Sequence, residues 1–324
     1  MNRREFILLF GGSAVAWPLA TRAQQPARMR RIGVLIPFNE NDPRAKTIVS
    51  AFTQALAGLG WTDGRNVRMD VRSYGGDIDR IRALARELVS LQPDIILASS
   101  TAVTVALQRE TRTIPIVFVG AGDPVVSGIV PRLDRPGGNV TGFGRSEGSL
   151  GGKWLELLLE IAPGLKRAAY MFNPDALPAS LYLPSFEAAA RSLKIVSIPA
   201  PIRSDVEIEA AIGDIGQESG GGLVVTSDAF TGAHHAAIIL AAARNNVPAV
   251  SSISYFARDG GLLSYGADPV DTYRRAATYV DRILRGEKPG DLPVQLPTKI
   301  RDGREPQDRQ RARSCNTPID SAAR

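Results

Sequence analysis

From residue 32 onward, short apolar runs rich in Val and Ile alternate with amphipathic stretches of helical length. That rhythm is the signature of βαβ units and a parallel sheet, and it leaves room for few other folds. Residues 32–37 (IGVLIP) read as a buried strand. Residues 43–59 place Ile48, Ala51, Phe52, Ala55, Leu56 and Leu59 at helical spacing before the turn at Gly60. Strand 67–71, helix 77–91, strand 95–98, helix 101–110 and strand 114–119 follow. The rhythm then restarts with helix 149–161, strand 167–172, helix 183–192, strand 194–198, helix 205–217, strand 222–226, helix 232–244, strand 247–250, a short element at 253–257, strand 261–265 and helix 269–285. The spacing predicts an α/β protein of two doubly wound parallel-sheet lobes. The Gly-rich, helix-poor segment 133–148 (LDRPGGNVTGFGRSEG) is placed as the first crossing between them, with a second near residues 265–268 and room for a third at 286–298.

The 324-residue length accommodates two such lobes. The first 25 residues stand apart from both. Arg3 and Arg4, an apolar stretch over 6–20 interrupted by Gly11, Gly12 and Pro18, and a small-residue exit around Ala23 follow the order of an export signal. The stretch is shorter than the ~20 residues a spanning helix needs. The arginine pair followed by Glu5-Phe6-Ile7 resembles the twin-arginine address, and a general secretory signal is the alternative. Either predicts cleavage near Ala23 and a mature, exported chain that does not span the membrane.

In open α/β sheets ligands sit beyond the carboxyl ends of the strands, which selects particular loops. These are Phe38-Asn39, Ser99-Ser100-Thr101, Gly120 to Asp123, Asn173 to Asp175, and Ser227-Asp228. Hydroxyls and free amides at a helix start suit a carboxylate, so Ser99, Ser100 and Thr101 qualify; the competing reading is that Ser100 or Thr101 caps its own helix. Asp228 would receive a ligand ammonium or, equally, cap the helix that follows.

Other chemistries find little support. Gly144 to Gly148 fits the G-x-S-x-G elbow of serine hydrolases, but the surrounding glycines do not make a strand-to-helix turn, and the only histidines, His234 and His235, fall inside a predicted helix. Gly120-Ala121-Gly122 lacks the third glycine of a dinucleotide fingerprint, and P-loop, His-Glu-x-x-His and EF-hand patterns are missing from the sequence, so neither a cofactor nor a metal site is expected. The net charge of +6 is of the sign that nucleic acid attracts, yet no basic stripe interleaved with aromatics occurs. Residues 1–23 hold three basic and one acidic residue, and residues 301–324 six and four, which leaves the body near +2. The single cysteine, Cys315, excludes an intramolecular disulfide and any multi-cysteine metal site.

Several blocks together resemble one family: GVLIPFNENDP, AFTQALAGLGWTDGRNV, VFVGAGDPVVSGIV, RPGGNVTGF and GGLLSYGADPVDTYRRAATYVDRILRGEKPGDLPVQLPTK, behind an export signal. Over residues 30–299 the chain is similar to the ABC-transporter substrate-binding proteins of the tryptophan/tyrosine type. The resemblance implies a type I periplasmic-binding-protein fold with a three-crossover hinge. Lobe one would be 30–142 plus 266–288 and lobe two 143–265 plus 289–299. It implies a periplasmic, monomeric receptor that is no enzyme and delivers a small ligand, an amino acid or related carboxylate, to an ABC permease and its ATPase. A periplasmic sensor feeding a signalling receptor is the alternative. Carried over by position, Ser99, Ser100 and Thr101 would hold the carboxylate and Asp228 the ammonium. Gly120, Asp123 and Asn173 would line the cleft, and Phe38 or Tyr265 would pack on the side chain.

The tail departs from that pattern. Where the family continues into a hydrophobic strand and helix, residues 300–324 read IRDGREPQDRQRARSCNTPIDSAAR, without apolar periodicity. Codons can be chosen for this stretch so that dropping the first base yields FEMVANLKTANALGLAIPPSILLR, which restores the family pattern. A frameshift is therefore expected, with a disordered tail from residue 300; an intact single frame in related strains would refute it.

Overall fold

The computed structural model describes residues 28–145, 148–176, 179–297 and 300–304. The expected export signal and most of the tail lie outside the described residues.

The first sheet takes β1 (Arg30–Ile36), β2 (Val67–Ser73), β3 (Ile95–Ser99), β4 (Ile116–Ala121) and β5 (Val140–Gly144), all parallel, in the order β2-β1-β3-β4-β5. Each residue of β3 is buried, as befits a central strand covered by helices on both faces. The helices are α1 (Pro43–Gly58), α2 (Ile78–Ser90) and α3 (Thr101–Glu110). Asp42 starts α1 by accepting from the Arg44 N–H at 2.8 Å, with Pro43 at the first position.

The second sheet is built from β6 (Arg167–Phe172), β7 (Val196–Pro201), β8 (Gly221–Val225), β9 (Ala249–Ser251) and β10 (Leu263–Ala267). A final strand, β11 (Ile300–Arg304), completes the order β11-β10-β9-β8-β6-β7. Its helices are α4 (Leu150–Ile161), α5 (Leu183–Leu193), α6 (Asp205–Gly216), α7 (Ala229–Ala233) and α8 (His235–Arg244). The expected helix 232–244 is thus two helices. Asp228 and Thr231 form a capping box that begins the first of them early, and it breaks at His234. At the sheet edge, β7 carries Pro199 and Pro201 and exposes Val196, the places where an unpaired N–H costs nothing.

α9 (Pro269–Leu284) returns the chain to the first lobe. Tyr273, Ala276, Ala277, Val280, Ile283 and Leu284 repeat at helical spacing and join Ile48, Phe52 and Leu56 of α1 in one buried cluster. Each large side chain so buried contributes about 1.5–3 kcal/mol, which makes α9 part of lobe one although β10, just before it, lies in the second sheet.

Two boundaries differ from the sequence reading. Residues 289–295, expected with lobe two, run along the free edge of β5: Val294 N–H donates to Leu133 O at 2.7 Å, and the Gln295 N–H to Gly142 O at 3.0 Å. Leu292 and Val294 bury themselves in the lobe-one clusters, and that apolar gain fixes the segment there. The tail expected to be irregular from residue 300 opens with β11, which pairs antiparallel with β10, Ala267 facing Ile300 and Leu263 facing Arg304. Main-chain pairing asks nothing of side-chain polarity, so the edge of β10 accepts a strand that has no apolar period. The chain therefore passes between the sheets three times: after β5, after β10, and before β11.

Candidate functional site

The carboxyl ends of both sheets converge on one cavity of about 110 Å³. β1 brings Phe38 to it, β3 Ser99 and Ser100, β4 Gly120, β5 Arg145, β8 Ser227 and Asp228, β9 Ser252 to Tyr255, and α9 Thr272 and Tyr273. This is the crevice where an open α/β sheet binds ligands, here closed from both sides. The lobes touch along it. Ala229 and Ala176 of the second lobe bury themselves in a lobe-one cluster, and Ile78 of α2 packs on the core of lobe two.

Ser100 is held in an uncommon backbone conformation, φ 101° and ψ 162°. A serine there stores strain of about 1–3 kcal/mol, which surrounding structure must overcome and which concentrates at functional sites. Its N–H donates to Val119 O at 3.0 Å, its carbonyl accepts from Thr104, and its hydroxyl lies 3.3 Å from the Tyr74 hydroxyl. Ser99 Oγ bonds the hydroxyl of Tyr273. Burial pushes both tyrosine hydroxyls up, against the pull of their serine partners, so both stay neutral donors.

Asp228 lines the cavity at 6% exposure, and its carboxylate is already engaged. Oδ1 accepts from the N–H groups of Phe230 and Thr231, both at 2.8 Å, and Oδ2 from Asn173 N–H at 2.9 Å. Burial pushes its carboxyl up while these three amides draw it down. The cap is therefore real, and of roughly four lone-pair sites one is left for a further donor.

Five of the nine expected site residues line the cavity: Phe38, Ser99, Ser100, Gly120 and Asp228. Four do not. Thr101 points its hydroxyl at Gly122, accepting that N–H at 2.9 Å. Asp123 caps the exposed turn that follows, accepting from Val125 and Val126 at 3.0 and 3.1 Å. Asn173 is buried behind Asp228 and closes an Asx turn on the N–H groups of Asp175 and Ala176. Tyr265 packs on the lobe-two core, and its carbonyl accepts from the Trp154 indole at 2.9 Å. In each case a local hydrogen-bond demand or a core contact takes the side chain away from the cleft.

Several residues were missed. Arg145 lies just past β5, inside the Gly-rich stretch read as a crossing, and bridges the lobes. Its Nε and Nη2 donate to Gly120 O at 3.0 and 2.7 Å, and Nη1 donates to Ser227 O at 2.6 Å and to the Ser227 hydroxyl. A lone cation at a strand end among glycines was the available signal. Tyr273 and Thr272 escaped because α9 reads as a plain amphipathic helix.

At the rim Arg44 lies 4.9 Å over the rings of both Phe38 and Tyr255, which meet edge-on. Its Nη1 is 3.0 Å from His235 Nδ1, and His235 Nε2 is 3.0 Å from Asp259. Arg44 draws the Asp42 carboxyl down, burial and Arg44 draw the His235 ring down, and burial pushes the Tyr255 hydroxyl up to about 12. His235 thus serves the lobe contact. Among the described residues no group of three metal-ligating side chains occurs, and no helix is long and apolar enough to cross a membrane.

The ABC transporter substrate binding protein profile matches residues 31–301. A "Tyrosine-binding protein" of Clostridioides difficile (strain R20291) is 27% identical over 243 residues, 75% of this chain and 70% of its own. A solved conserved domain protein of Vibrio cholerae superposes with TM-score 0.80 at 25% identity, over 88% of this chain and 95% of the other. A Streptococcus pneumoniae ABC domain solved in complex with L-Trp gives 0.79 at 21% identity, over 87% and 94%.

Proposed function

The chain belongs to the ABC transporter substrate-binding protein family, and on that premise we propose that it is an exported receptor for a small ligand, an amino acid or a related carboxylate. It is a binding protein, not an enzyme. After cleavage near Ala23 it works in the periplasm, closes its lobes over the ligand by hinge motion at the crossovers, and presents the closed form to an ABC permease and its ATPase. The observation that carries this reading is the shared cavity. Strand ends of both sheets wall it, its polar groups are hydroxyls with one cation and one carboxylate, and each lobe contributes about half. The tyrosine-binding relative and the L-Trp complex support an amino acid as the ligand class.

Within that reading Ser99 and Ser100 offer hydroxyls to the ligand carboxylate. Asp228 has its last lone pair for the ammonium, and Phe38 with Tyr255 walls the side chain. A thermal-shift screen of the purified protein against amino acids, small carboxylates, monosaccharides and polyols tests it, since a ligand that binds only the folded form at about 100 times its Kd adds ~2.7 kcal/mol. At least one amino acid or carboxylate is expected to raise the melting temperature by several degrees. A response to sugars alone would overturn the assignment.

A further inference from the structure

Resting on the reading of the cleft as a small-solute site, we propose that Arg145 is the residue that recognises the ligand's anionic group, with the hydroxyls of Ser99, Ser100 and Tyr273 around it. The cavity lining contains one cation and one carboxylate, Arg145 and Asp228, and the two are balanced very differently. Asp228 is met by three backbone N–H donors. Arg145 is met by neutral acceptors only, the carbonyls of Gly120 and Ser227 and the Ser227 hydroxyl, and no carboxylate pairs with it among the described residues. Its charge reaches across the cavity: it draws down the hydroxyls of Tyr74, Tyr255 and Tyr273 against their burial.

A half-buried guanidinium without a counter-charge is costly, and an anion supplied by the ligand relieves that cost while gaining a charge-assisted, planar fork of donors. The neighbouring groups fit an anion too. Ser99 and Ser100 end β3 and start α3; in the Ser99–Tyr273 pair one hydroxyl donates to the other and leaves a single O–H for a ligand, and Ser100 adds its own hydroxyl. Position adds coupling. Arg145 sits on a crossover and touches Gly120 in one lobe and Ser227 in the other, so the anion would bind where the lobes are joined. The ligand class that follows is a compact monocarboxylate, with its amino group secondary to affinity.

The test uses matched probes that share a side chain and differ in polar groups. They are L-tyrosine, tyramine and 3-(4-hydroxyphenyl)propionate, with the corresponding sets for L-tryptophan and L-leucine, titrated by calorimetry. In the wild-type protein the amine of a binding set is expected to lose about hundredfold in affinity and the acid about tenfold or less. Arg145→Met is expected to weaken the amino acid and the acid about hundredfold and to leave the amine within about threefold, with Arg145→Lys intermediate. The amine comparison separates recognition from a merely structural role, because a closure defect weakens all three probes alike, and melting curves confirm that the variants fold. An amine that binds wild type as well as its amino acid overturns the proposal, as does an Arg145→Met protein whose amino-acid affinity is unchanged, while the receptor reading stands. If no amino acid or acid of any set binds wild type, both fall.

Discussion

Arg44 and Arg145 both reach from one lobe to the other, yet their surroundings differ. Arg44, at the rim, carries its own counter-ion: its guanidinium sits on the Asp42 carboxylate, with His235 and Asp259 beyond, and two aromatic faces flank it. Arg145, at the floor, meets only carbonyls and a hydroxyl among the described residues. A neutralised cation between rings is a structural clasp, because nothing further is needed to satisfy it. A cation facing neutral dipoles in a closing cavity leaves electrostatic energy to be gained from whatever enters. Rim and floor therefore divide the labour between holding the lobes together and choosing what lies between them.

The rim can be broken while the floor is left intact. Arg44→Met keeps the apolar bulk but removes two cation–π contacts, worth about 0.5–2 kcal/mol each depending on desolvation, together with the bond to His235. Affinity is expected to fall tenfold or more, and equally for carboxylate and amine probes, by calorimetry. A loss confined to carboxylates would transfer anion recognition from Arg145 to Arg44 and erase the distinction.

Gly76 offers a perturbation of closure that touches neither charge. It adopts φ +83°, and a Cβ placed there would stand 2.4 Å from the Cβ of Ala233 across the cleft. Gly76→Ala therefore strains the backbone and wedges the lobes apart, at a combined cost of about 1–3 kcal/mol. The expected result is a uniform loss of about tenfold for all probes, with a larger radius of gyration in ligand-saturated solution scattering. Unchanged affinity would mean that ligand binds a form in which these residues are apart.

The contrast between rim and floor was only half legible in the sequence. The strands and helices were, because a buried parallel strand such as β3 (IILAS) and a one-sided helix such as α9 write their environment into local periodicity. So was the set of strand-end loops, which follows from topology, and Ser99, Ser100 and Asp228 came with it. Arg145 and Arg44 were not, since what sets them apart is which acceptors they meet in the other lobe, some 82 and 191 residues away along the chain. β5 is hidden in the sequence for a related reason: Val140, Thr141 and Phe143 favour a strand, but two glycines interrupt them within a Gly-rich run, and β4 and residues 294–295 leave the slot that the segment fills. Gly142, at φ 153°, lies so close to Phe118 that a Cβ would fall 2.1 Å from its carbonyl oxygen. The failures at Thr101, Asp123 and Asn173 share one cause. Short polar side chains at strand ends satisfy their own loop first, and only a surplus is left for a ligand.

The smallest effect sharpens the comparison through pH. At the rim the neutral His235 ring lies 3.0 Å from Arg44 and 3.1 Å from the Gly232 carbonyl at Nδ1, and 3.0 Å from Asp259 at Nε2; protonation would set a second cation against Arg44. Asp259 and the Gly232 carbonyl favour the proton, but burial and Arg44 outweigh them, and the ring is drawn below its ordinary value of 6.5. Asp42, drawn down by Arg44, and Tyr255, pushed up to about 12, hold their charge states across the same range. The sign follows from linkage. Above about pH 6.5 the ring is neutral in both closed and open or unfolded chains, and the clasp contributes fully. As pH falls below that value the open and unfolded forms take up a proton that the closed form resists, so stability and affinity decline. His235→Gln, which can still accept from Arg44 and donate to Asp259, is expected to flatten this part of the profile in melting curves between pH 7 and 5, while Arg145→Met leaves it intact. A decline that persists in His235→Gln would place the titrating group elsewhere and detach pH sensitivity from the rim.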